Sequence, residues 1–254
     1  MNKDENRRFP MKTDFLSDKK LDDIMYGFLL SNSYLTNDNR RYCIKADVTA
    51  GQMIKYFKEQ DKKIASERKL RDMFKLFMNI DLLSEGEYDN KKVYFIPDLD
   101  GKDNRIYVRI KTQTLKFLVD TANSNVIKIY AYLKMMMEIH NKGYTTAFRF
   151  AEKDLLEQIG FKTINYSNNY EMIRNILDSL RNNGLIDFHK EFVKTDCGVI
   201  TEYFHLDKVN EDYISFEKPI EEDNTTCAVA VETPKTEVYN FDFTVGIDPY
   251  SYRF

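Results

Sequence analysis

Ile64-Ala-Ser-Glu-Arg-Lys-Leu-Arg-Asp-Met-Phe-Lys-Leu-Phe-Met-Asn-Ile-Asp-Leu-Leu83 is the stretch on which the fold turns. Ser66 stands where a hydroxyl can accept an orphan amide of the first helical turn. Leu70, Met73, Phe74 and Phe77 then recur at three- and four-residue spacing, which predicts one buried helix face. Ser66, Arg68, Lys69, Arg71 and Lys75 fall on or near the other face. The segment is therefore an amphipathic helix with a basic outer side, and Leu82-Leu83 leads it into a strand.

Upstream, Leu21, Ile24, Met25, Phe28 and Leu29 predict a helix, Tyr42-Cys43-Ile44 a short strand, and Thr49 opens a second helix through Met53, Ile54 and Phe57. Downstream, a polar loop Glu85–Lys92 containing Asp89-Asn90 precedes the strand Val93–Ile96, which predicts a hairpin. Ile106–Thr112 reads as a strand and Gln113–Thr121 as a short bridging helix. The order then returns. Val126–His140 is a long helix ending near Gly143, Ala147–Phe150 a strand, and Glu152–Ile159 a helix closed by Gly160. The segment Lys162–Ser167 is mostly polar. Asn168–Asn183 is a helix with Ile173, Ile176, Leu177 and Leu180 inward, and a hairpin runs through Leu185–Val193 and Val199–Leu206 around Lys194–Gly198.

Two segments resemble the winged-helix family. One is Ile64–Leu83; the other is Asp154–Gly160 continued by Asn168–Ile186, whose ending Leu-Arg-Asn-Asn-Gly-Leu-Ile resembles the family's drop from recognition helix into first wing strand. Met78–Leu83 matches that ending loosely, without the glycine. The resemblance implies an α+β, mainly helical chain with two winged-helix domains in tandem, 21–112 and 113–208. They are preceded by a polar N-terminal arm (1–20) and followed by an acidic, aromatic-containing, flexible tail (209–254). The nearest likeness is to the tandem winged-helix replication initiators of plasmids and phages, and in architecture to primosomal helicase-loading proteins of low-GC bacteria.

The net charge of −3 looks unsuited to a nucleic-acid binder until it is divided. Residues 211–254 hold ten acids and three bases, a net of −7; residues 1–210 hold 35 bases and 31 acids, a net of +4. Lys55–Lys75 alone carries eight bases and four acids. Three scattered cysteines (Cys43, Cys197, Cys227) argue against a disulfide framework or a zinc ribbon. No apolar run approaches a membrane span, and a cytoplasmic location is expected. No phosphate-binding Gly-rich loop or nucleophile elbow occurs. The three histidines lie singly, with His189 and His205 read as a cross-strand pair. No enzymatic activity, cofactor or metal is expected.

In a helix-turn-helix the second helix enters the major groove. The expected DNA contacts are Lys63, Ser66, Arg68, Lys69, Arg71 and Lys75, with Lys91 and Lys92 at the hairpin tip. In the second module they are Asn168, Asn169 and Arg174, with Lys190 and Lys194 on its wing. Lys62 is counted among the cations on the approach. Arg68 suits a bidentate contact to guanine; the lysines suit phosphates. The function expected is origin binding in replication initiation of a plasmid, phage or mobile element. The expected partners are double-stranded DNA, host replication proteins recruited through the tail, and a second copy of the chain. A transcriptional regulator and a protein-interaction adaptor are the alternatives.

Overall fold

Thr49 and Ser66 mark the starts of two successive helices. In the computed structural model, Thr49 Oγ1 accepts the Gln52 amide at 3.2 Å and Ser66 Oγ accepts that of Lys69 at 3.4 Å. The structure describes residues 6–12, 23–97, 106–141, 148–161, 167–194, 198 and 200–210. Among these the protein is α+β, with seven helices and three small antiparallel sheets.

The first half runs α1 (Asp23–Ser31), β2 (Tyr34–Leu35), β3 (Arg41–Ile44), α2 (Ala50–Glu59), α3 (Glu67–Asn79), β4 (Ser84–Tyr88), β5 (Lys91–Ile96). Its sheet is ordered β2-β3-β5-β4, so β3, the second of the two strands after the first helix, lies beside β5, the last strand of the hairpin. The second half runs α5 (Ser124–Asn141), β7 (Arg149–Phe150), α6 (Glu152–Gln158), α7 (Ser167–Asn182), β8 (Ile186–Lys194), β9 (Ile200–Val209), with sheet order β7-β9-β8. Element order and strand adjacency therefore repeat. Between the halves stand β6 (Ile106–Lys111) and α4 (Thr112–Thr121).

The N-terminal segment departs from its expected form as a loose arm. Residues Asn6–Lys12 form β1, which pairs antiparallel with β6. The reason is burial: Phe9 is 1% exposed and meets Tyr26 edge to face at 6.3 Å, opposite a fully buried Val108. Arg7, 6% exposed, donates from Nε to the Leu30 carbonyl at the end of α1, 2.9 Å away. The first hairpin also differs. Its loop is only Asp89-Asn90, both left-handed (φ 51° and 57°), and the polar residues before it are strand, because an edge strand with exposed side chains tolerates them. Residues 1–5 and 13–20 of the expected arm, the helix start at Leu21, Gly143, Ala147, Lys162–Tyr166, Thr195–Cys197 and the tail from residue 211 lie outside the described residues.

One unit spans residues 1–213 and a second spans 214–254. Within the first, a single buried cluster crosses the expected domain boundary, from Leu29, Met53, Phe57 and Phe77 through Leu115 and Val119 to Ile127, Ile173 and Leu177. α1 packs on both α4 and α5. Its Gly27 is so close to α4 that an added Cβ would lie 2.8 Å from Val119 Cγ2. Asp23, fully buried at the start of α1, pairs with the nearly buried Lys128 of α5 at 3.3 Å and accepts the Ser124 hydroxyl.

Candidate nucleic-acid interface

The exits of α3 and α7 put these two helices in register. The Leu82 amide bonds back to the Phe77 carbonyl (2.8 Å) and the Leu185 amide to the Leu180 carbonyl (2.9 Å), the same six-to-one closure. The left-handed residue is Gly184 (φ 66°) in one and Asp81 (φ 56°) in the other. Aligned through these exits, Leu70, Met73, Phe74 and Phe77 correspond to Ile173, Ile176, Leu177 and Leu180, and all eight are buried. Phe74 also stacks on Tyr94 of β5 at 5.3 Å, which seats α3 on its sheet.

Two outward positions of that register differ in sign. Arg68 and Lys75 of α3 correspond to Glu171 and Asp178 of α7, all four exposed. Arg71 corresponds to Arg174, and both are held by carboxylates. Arg71 pairs with Glu67 one turn back. Arg174 forms a fork on Glu152 of α6 at 2.5 and 3.2 Å, and that hydrogen bonding raises its pKa. Lys75 lies at 4.0 Å from Asp72, the outer limit of an ion pair.

The remaining expected residues divide similarly. Ser66 is spent as the α3 cap. Lys63 is exposed in the turn between α2 and α3, beside a shallow recess lined by Ile54, Lys58 and Ile64. Lys69 is half-buried. Lys91 is exposed, immediately after the hairpin turn; Lys92, also exposed, is a strand residue opposite Glu87. Asn168 is exposed and Asn169 half-buried in the first turn of α7. Lys190 pairs with Glu202 at 2.7 Å and lies over the Phe204 ring. Lys194 is exposed at the end of β8.

Lys62 corrects its expected place among the surface cations. Its ammonium donates to the Val119 and Ala122 carbonyls at the end of α4 and lies 5.3 Å over the Phe57 ring. The C-terminal pole of a helix attracts a cation there. Tyr56 adds a second tie, its hydroxyl donating to Asp120 at 2.6 Å with Lys116 bridging the pair. Burial raises the Tyr56 pKa, and the hydrogen bond to Asp120 pushes it the same way. Together these contacts fix the α2–α3 turn to α4.

His189 and His205 are directly opposite in β8 and β9 and stack at 4.9 Å, with Asp207 2.8 Å from His189 Nδ1. Among the described residues no group of three or more His, Cys, Asp or Glu is arranged to hold a metal. No helix among them is long and apolar enough to cross a membrane. Sequence reading passed over Arg8 and Arg109, which lie far apart in the chain and directly opposite in the β1–β6 ribbon; only the pairing of β1 reveals them. Compared with family models, curated proteins and solved structures, the chain matches none.

Proposed function

We propose that the chain binds duplex DNA through α3, the recognition helix of the first of two winged-helix modules, with Lys91 and Lys92 on the wing. The order helix, strand, helix, helix, hairpin, with β3 beside β5 and β7 beside β9 and with the short β2 added in the first half, fits a winged-helix arrangement and supports that reading of both halves. One observation carries the choice of helix: Arg68 and Lys75 in α3 stand where α7 presents Glu171 and Asp178. Exposed carboxylates at those two positions disfavour phosphate, which favours α3 over α7 as the reader. The family resemblance supports a role at a replication origin. Repeated sites beside the gene would fit an initiator; one or two at its promoter would make it a regulator instead.

Binding to a mixed library of genomic fragments, followed over a salt series, is the test. Affinity should fall steeply with salt. Arg68→Ala should weaken the preferred fragment by about 1–3 kcal/mol, roughly 5- to 150-fold, and relax sequence preference. Glu171→Ala should leave binding unchanged or tighten it. Affinity weaker than millimolar for every fragment at low salt would refute the proposal in favour of a protein-interaction adaptor.

A further inference from the structure

We infer that the free edge of β8 is a self-association surface, on which a second copy of this chain lays its own β8 antiparallel and joins two three-stranded sheets into one. β8 closes the order β7-β9-β8, so one edge of its nine residues pairs with no strand among the described residues. It is the longest such edge there: β1 has seven residues with Pro10 and a register shift, β6 has six, β4 five, and β2 and β7 two each. A long edge is a template for another chain unless charge, proline or a bulge guards it. β8 contains no proline or glycine, and the extra residue at its register shift, Asp207, is on β9. Its charges are neutralised within the module. Asp187 lies 3.5 Å from Arg181 of α7, Lys190 2.7 Å from Glu202 of β9 and Glu191 2.5 Å from Arg149 of β7. From His189 to Lys194 every residue is exposed or half-buried, so the edge is open. The same hairpin holds Phe192 and Ile200, 65% and 67% exposed, two of the three exposed large hydrophobic residues among those described.

The sequence of β8 selects a second β8 as the occupant. Residues opposed across an antiparallel pair share a face, so the two-fold axis of a pairing between identical strands passes through one residue. Lys190 is the centre of Ile186–Lys194, and an axis there pairs the whole strand with its counterpart. It sets the exposed Phe192 against the buried Phe188 of the second copy on one face. On the other face it sets Glu191 against His189, a carboxylate against an imidazole. Both pairs occur twice, once on each side of the axis, and aromatic and polar pairs of this kind stabilise a sheet. Lys190 meets its own counterpart, each already held by Glu202. Neighbouring registers are worse. An axis at Glu191 opposes two carboxylates, one at His189 opposes Asp187 to Glu191, and one at Phe192 opposes Lys190 to Lys194.

The experiment is sedimentation velocity of the full chain, without DNA, over a concentration series, with circular dichroism checking that each variant folds. The wild-type chain should shift from monomer to dimer as concentration rises. Phe192→Lys, at an exposed position, should weaken self-association by about tenfold or more, the loss expected when a large aromatic is no longer covered. Phe192→Tyr should retain it. Cross-linking reads the register separately. In a Cys197→Ser/Cys227→Ser background, a short bis-maleimide should link Lys190→Cys to its counterpart in the second copy, while Lys153→Cys, exposed on α6, stays unlinked. A chain that is monomeric at every concentration leaves the edge to another occupant or to solvent, and overturns the inference. So does a dimer that Phe192→Lys leaves intact, or one in which Lys190→Cys links no better than Lys153→Cys. None of these outcomes bears on the reading of α3, which salt-dependent DNA binding decides.

Discussion

Lys62 belongs to the most basic segment of the sequence, yet its ammonium meets carbonyls of α4. Arg174 lies on an outward helix position and is claimed by Glu152, 22 residues away. Neither fate is legible in a linear pattern, because a cation's availability depends on which carboxylate or carbonyl the fold brings beside it. The apolar residues were legible: the stripes of α3 and α7 are buried at every position that periodicity assigned. Cys43 lies between these cases. Its thiol is fully buried, donates to the Leu29 carbonyl at 3.1 Å, and is pushed up to about 12 by burial. A raised folded-state pKa means this contribution to stability is complete below the free-thiol range, near 8.5, and is lost as pH rises toward 12. The Cys43 peptide should therefore stay unalkylated in native protein at pH 8 and react promptly in denaturant. Native-state labelling at the rate of a free cysteine would contradict the burial.

At the scale of elements, helix exits carry the repeat more faithfully than residue identity does. α2 and α6 end on left-handed Asp61 and Gly160, α3 and α7 on Asp81 and Gly184, each with the next amide closing a six-to-one bond. The glycine made the second exit readable in sequence. The aspartate hid the first, since Asp tolerates this conformation only at some cost. Asp81→Gly should therefore stabilise the protein by up to about 1 kcal/mol, although glycine's greater freedom when unfolded offsets part of the gain. Gly184→Ala should destabilise by about 1 kcal/mol: a Cβ there meets nothing within 4 Å, and the cost is purely the φ of 66°. Urea denaturation measures both, and a neutral Gly184→Ala would show that the exit is not strained. The first hairpin departs from its expected form for a related reason. A two-residue left-handed turn lets polar residues pair as strand, and hydrophobic alternation does not register them.

Over the whole first unit, element order and most of the core were legible, whereas β1 was not. Seven residues with Phe9 as their one aromatic look like a polar arm until β6 supplies the partner. Equally hidden was the buried pair joining the halves, because Asp23 and Lys128 each look like an ordinary surface charge. Lys128→Met should cost about 3 kcal/mol, since it strands a carboxylate that is fully inside. Asp23→Leu combined with Lys128→Met should recover most of that loss. Denaturant titration reads both, and a single-variant cost below about 1 kcal/mol would mean the pair is not a significant link.

The β1–β6 pairing also orders events in time. Phe9 is made about a hundred residues before its partner Val108. At roughly 5–20 residues per second, that interval is about 5–20 s. During it the nascent first half has its hairpin and helices but lacks the strand over Tyr26 and the end of α1. The first half is therefore completed only once the segment between the halves has been made.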